Sequence, residues 1–142
     1  MANSAENVKV IQRGGHLGAE IRGINLTQPV DDLTFKVIKD AFVEHELIVF
    51  QDQPITSEQQ IGFAKKFGEL SVHPFSPNSD ETPELIIFDN DADNPPFGTD
   101  CWHSDETFRA EPPKATMLHG LIIPEVGGDT MFASMTSAYE GL

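Results

Sequence analysis

Leu33, Val37, Ile38, Ala41 and Phe42 fall at i, i+4, i+5, i+8 and i+9, one apolar stripe with the period of an α-helix. Pro29 sets up the start, and Asp31 or Asp32 is a sound N-cap. The stripe runs to about Glu46, and Leu47-Ile-Val-Phe50 follows at once as a buried strand. Upstream, Val8-Lys-Val-Ile11 reads as a short strand stopped by Gly14-Gly15, with Ala19–Ile24 as its hairpin partner. Downstream, Gln51-Asp-Gln-Pro54 is a turn, and Thr56 with Gln59 makes a capping-box pattern for a second helix. Ile61, Ala64 and Phe67 supply the inner face of that helix, and Gly68 ends it.

Beyond it the texture changes to short strands: Leu85–Phe88, Cys101–Phe108, Ala115–Ile123 and Thr130–Ala133. Asp89–Asp100 is a polar loop, and Gly127-Gly128 is the turn before the last strand. A last helix begins near Thr136 and has barely one turn before Leu142. At 142 residues the chain is the size of one domain with one core. Its strands amount to half a sheet, so residues 1–142 are expected to be the N-terminal portion of a longer protein. An open half-sheet also invites pairing with a second copy, making a homo-oligomer the expected state.

Charge narrows the partners. Acidic residues number 23 against 9 basic, a net charge of −14, and that field repels a phosphate backbone. Nucleic acid is therefore not the expected partner. The longest clean apolar runs span four residues, where a membrane-crossing helix needs about 20, and the N-terminus does not read as a signal peptide. The single cysteine, Cys101, excludes an intrachain disulfide and fits a reducing compartment, so a cytoplasmic location is expected.

The chemistry concentrates at Trp102-His103-Ser104-Asp105. Residues i and i+2 of a strand face the same way, so the His103 imidazole and the Asp105 carboxylate converge on one point. That donor pair suits a divalent first-row metal, and a second imidazole would complete the facial triad of non-haem Fe(II) oxygenases. Read alone, His-x-Asp is equally a surface histidine beside a charge. A rival metal reading takes Asp89, Asp91, Asp93 and Asp100 as positions 1, 3, 5 and 12 of a calcium loop. It meets Asn94 where the sharp turn needs glycine, and prolines at the next two positions. His16, His45 and His119 read as structural, in a turn, at a helix end and in mid-strand respectively.

Phe67-Gly-Glu-Leu70, His73-Pro74, Asp93-Asn-Pro-Pro96, Trp102-His-Ser-Asp-Glu-Thr-Phe108, Pro112-Pro113 and Gly127-Gly-Asp-Thr130 occur in this order along the chain. Together they resemble the taurine dioxygenase family of Fe(II)/2-oxoglutarate-dependent oxygenases, which includes the 2,4-dichlorophenoxyacetate dioxygenases. The resemblance runs from about Val10 to Leu142.

It implies a mixed, mainly β fold: a double-stranded β-helix (jelly-roll) core with flanking helices, here truncated. It implies an enzyme that uses Fe(II), 2-oxoglutarate and O2 to hydroxylate a small anionic organic substrate, a sulfonate such as taurine among the candidates, with release of succinate and CO2. His103 and Asp105 would match two iron ligands, and Thr130 the threonine that helps hold the distal carboxylate of 2-oxoglutarate. His73 would match a substrate-pocket histidine. At two pocket positions the chain departs from the taurine enzymes, with Ser76 in place of a tyrosine and Thr99 in place of an asparagine, which weakens taurine itself as the substrate. The family's remaining ligand histidine and its 2-oxoglutarate-binding arginine lie farther downstream than Leu142. The readings that compete with the enzyme are a non-catalytic metal-binding jelly-roll domain and a calcium module on loop 89–100.

Overall fold

The computed structural model describes residues 3–75, 81–90, 93 and 101–142. They fall into two compact units, the described residues of Met1–Phe67 with Leu121–Leu142, and those of Gly68–Gly120.

The first unit is built on a three-stranded sheet. Strand β1 (Lys9–Gln12) pairs antiparallel with β2 (Ala19–Arg22), Val10 opposite Ile21 and Gln12 opposite Ala19. Strand β3 (Ile48–Phe50) pairs parallel with β2 on its other side, giving the order β1-β2-β3. The parallel pairing needs a crossover, and helix α1 (Asp32–His45) supplies it. Asp31 is the N-cap, its carboxylate accepting the Thr34 N–H at 2.7 Å. That bond holds the Asp31 carboxyl below its ordinary range. The helix ends on Glu46 in a left-handed turn (φ 62°), a conformation more often given to glycine. The Gly18 and Ala19 N–H groups then donate to the His45 and Leu47 carbonyls at 2.9 Å, locking β2 to the end of the helix.

The buried ridge of α1 is Thr34, Ile38 and Ala41, with Phe35 and Phe42 beside it. This is the expected stripe turned by about one residue, which leaves Leu33 largely exposed. β3 is half-buried where a buried strand was expected, because it closes the edge of the sheet; its Val49 is 46% exposed. Thr56 caps α2 (Ser57–Ala64) in the expected reciprocal box with Gln59. The chain then tightens into a 3-10 turn over Lys65–Phe67, which shifts the phase. Within the helix itself Phe63 is the buried residue, where Ile61 and Ala64 were expected. Its ring meets Phe35, Phe50 and Phe67 edge-on at centroid separations of 6.3, 5.7 and 5.7 Å.

Glu20 is 2% exposed within this unit. Arg22 and Arg13 both bind its carboxylate, and these bonds hold its carboxyl below the ordinary 4.5. Helix α3 (Met135–Glu140) starts on Ser134, which caps Ser137 and donates to Glu46 Oε1 at 3.1 Å. No helix among the described residues is long and apolar enough to cross a membrane.

The second half corrects the sequence reading. Leu85–Phe88, Cys101–Phe108, Ala115–Ile123 and Thr130–Ala133 form no strand; the described residues hold three strands and three α-helices, and no double-stranded β-helix is seen among them. A strand exists by pairing its backbone, and these segments have no ladder among the described residues. Their apolar side chains are exposed to match, Ile122 at 93%. Gly127 and Gly128 both have positive φ (79° and 72°), which a side chain would strain, but the expected turn between two strands is not formed there; bends fall at Glu125 and Val126.

Candidate functional site

In the second unit, His103 sits in backbone without regular secondary structure, not in the strand expected, and Asp105 opens a turn that passes through Glu106 at φ 48°. The two side chains converge, His103 Nε2 lying 3.2 Å from Asp105 Oδ1. The opposite ring nitrogen, Nδ1, is 3.0 Å from the Cys101 carbonyl oxygen, to which it donates. In the neutral ring that leaves a lone pair on Nε2, aimed at a carboxylate. Two such electron-rich atoms repel unless a positive charge lies between them, either a proton on the ring or a metal ion.

The spacing fits a metal. Two donors each about 2.1–2.2 Å from a first-row ion and at right angles stand about 3.0–3.1 Å apart, close to the separation seen. The chemistry of imidazole plus carboxylate also fits a ferrous ion. Both side chains are about half exposed, so solvent and small ligands reach them. Among the described residues no group of three or more His, Cys, Asp and Glu side chains gathers that could hold a metal, so this unit brings a pair of donors and not a full set.

Sequence reasoning missed two residues of this unit, of which Thr116 touches the pair. The Thr116 hydroxyl donates to Asp105 Oδ2 at 2.6 Å. Arg109 pairs with Glu106, donates to the Val72 carbonyl at 3.1 Å and lies 5.7 Å from the Phe108 ring centroid. The Glu106–Arg109 pair was visible as an i, i+3 charge match, but contacts across 11 and 37 residues leave no local signal.

His73 belongs to the same unit. Its ring lies edge-on to Phe108 at 6.3 Å and to Phe75 at 6.1 Å. The Phe75 N–H donates to Nδ1 at 3.2 Å, so the neutral ring carries its proton on Nε2 and is a donor there. Thr130 belongs to the other unit and is exposed, two residues after Gly128. Ser76 and Thr99 lie outside the described residues, as does most of loop 89–100 with its Asp91 and Asp100.

Residues 9–142 match the family described as "Taurine catabolism dioxygenase TauD, TfdA family". An alkylsulfatase of Acinetobacter baylyi is 38% identical over 99% of this chain and 44% of its own length. An alpha-ketoglutarate-dependent sulfate ester dioxygenase of Pseudomonas putida is 39% identical over 90% of this chain and 42% of its own. The chain thus spans less than half the length of these relatives. Among solved structures, a taurine dioxygenase from Burkholderia xenovorans superposes with a TM-score of 0.53 at 31% identity, over 56% of this chain and 29% of that one.

Proposed function

The chain belongs to the taurine catabolism dioxygenase TauD, TfdA family, and from that premise we propose that it carries part of the active site of an Fe(II)- and 2-oxoglutarate-dependent dioxygenase. The observation that carries this reading is the 3.2 Å approach of His103 Nε2 to Asp105 Oδ1, with the opposite ring nitrogen already committed to the Cys101 carbonyl. His103 and Asp105 are the metal ligands in this reading. A ferrous ion bound by them supplies oxygen activation, coupling decarboxylation of 2-oxoglutarate to succinate and CO2 with hydroxylation of a substrate C–H bond.

The chain's own residues set the geometry. The Cys101 carbonyl fixes the His103 tautomer and ring direction. Thr130 takes the distal carboxylate of 2-oxoglutarate, and residues 1–142 belong to a single jelly-roll domain of a cytoplasmic protein. His73 Nε2–H faces the anionic end of the substrate, with Ser76 and Thr99 completing the pocket. Phe75 and Phe108, tilted against one another at 5.7 Å, offer an apolar surface beside that donor. An anionic head with a hydrocarbon body is the substrate class this supports. The relatives named for sulfate esters point the same way, and a sulfate ester or sulfonate is the proposed substrate.

The test is anaerobic addition of Fe(II) and 2-oxoglutarate to the full-length protein. A weak visible charge-transfer band is expected, and His103→Ala abolishes it. With oxygen, succinate forms in step with consumption of an alkyl sulfate or alkanesulfonate. Absence of the band in folded protein overturns the assignment.

A further inference from the structure

The two oxygens of Asp105 have different partners. Oδ1 lies toward His103 Nε2, and Oδ2 accepts the Thr116 hydroxyl at 2.6 Å, a short charge-assisted bond. Thr116 is itself exposed, so packing does not account for a β-branched hydroxyl residue there. It reaches Asp105 across the Pro112-Pro113 stretch, whose fixed φ angles limit how that return can be made.

We infer that Thr116 is a positioning residue for the metal centre: its hydroxyl holds Asp105 Oδ2 aside and presents the carboxylate as a one-oxygen donor. The inference rests on the reading of His103 and Asp105 as ligands. A carboxylate bound through both oxygens takes two coordination positions. Bound through Oδ1 alone it takes one, and the second stays open for cosubstrate or oxygen. The bond also stops the carboxylate rotating away from His103, which raises the effective concentration of the second donor once the first is bound.

Threonine separates hydroxyl from shape cleanly. Thr116→Val keeps the branched outline and removes the donor; Thr116→Ser keeps the donor and removes the methyl. The full-length protein is titrated with Mn(II), and binding is read from loss of the free-ion electron paramagnetic resonance signal. Wild-type binding is expected to be lost in His103→Ala. Thr116→Val is expected to bind about tenfold more weakly or worse, and Thr116→Ser within about twofold of wild type. Should the valine variant fail to fold, by far-UV circular dichroism, Thr116→Ala carries the same hydroxyl deletion and the same expected loss. Equal affinity for wild type and a folded hydroxyl-deleted variant overturns the positioning role while leaving the ligand assignment intact. A serine variant as weak as valine overturns it too, since the methyl would then be what matters. Wild-type binding that His103→Ala does not change, or no Mn(II) binding at all, overturns both.

Discussion

Glu20 shows how a single residue couples this fold to pH. The chain has 9 basic residues, and Arg13 and Arg22 are both spent on this one carboxylate, itself 2% exposed. Their bonds lower its pKa in the folded state, so the ionised form stabilises the fold at any pH above the unfolded value. That contribution is lost as pH falls through the folded pKa, below 4.5. Asp31, lowered by the Thr34 N–H, loses its contribution in the same direction. Glu20→Gln is therefore expected to melt at a lower temperature than wild type at pH 7, with the gap closing as the pH is taken below about 4. A gap that stays constant from pH 7 to 3 would show that the charge is not what stabilises. At this scale the candidate site was legible where chemistry is local: His103 and Asp105 are two positions apart, and the structure brings them together. Thr116 and Arg109 were not, because the bonds that give them a role join segments distant in sequence.

Helix termini were the most legible elements, because a cap is a local arrangement of four residues. Thr56-x-x-Gln59 forms the reciprocal box its spacing predicts, with the Gln59 N–H donating to Thr56 Oγ1 at 3.3 Å and the Thr56 N–H to Gln59 Oε1 at 2.9 Å. Thr56→Ala is expected to cost about 1 kcal/mol in urea denaturation with an unchanged slope. Interior faces were read less well, because periodicity gives an apolar stripe but not which edge of it the neighbouring elements cover. α2 gives way to a 3-10 turn after Ala64, and the aromatic cluster of Phe35, Phe42, Phe50, Phe63 and Phe67 then settles which side chains are buried. Phe63 lies at the centre of that cluster, with three edge-on neighbours. Phe63→Ala is expected to cost about 3–5 kcal/mol, the range for emptying a buried aromatic site. A loss under about 1 kcal/mol would mean that the neighbouring rings collapse into the space. Comparing Phe63→Ala with Ile61→Ala by the same denaturation settles which residue forms the inner face.

Across the whole molecule, sequence reading placed the strands of the first unit and failed on those expected from Leu85 onward. β1 and β2 join through a short connection and β3 follows a crossover helix, so their side-chain pattern and their ladder coincide. From Leu85 onward the apolar pattern of strands is present, but no ladder forms among the described residues. Pattern specifies which face of a strand would be buried; only a partner makes the strand. The consequence is measurable as backbone protection. Amides inside the β1-β2-β3 ladder and α1 are closed by regular hydrogen bonds around Ile21 and Ile38, which are almost fully buried. In the described part of Gly68–Gly120 the backbone bonds are isolated turns, such as Leu85 N–H to the Thr82 carbonyl and Arg109 N–H to the Glu106 carbonyl, each 3.0 Å. Opening a lone turn bond needs no cooperative unfolding, whereas opening a laddered one does. Native-state hydrogen exchange of the chain is therefore expected to be slower by on the order of 100-fold or more at Ile21 and Ile38 than at Ala115–Gly120. Equal protection at the two places would mean that Ala115–Gly120 does hold a paired strand in solution, and that the pattern read from its side chains had found its partner after all.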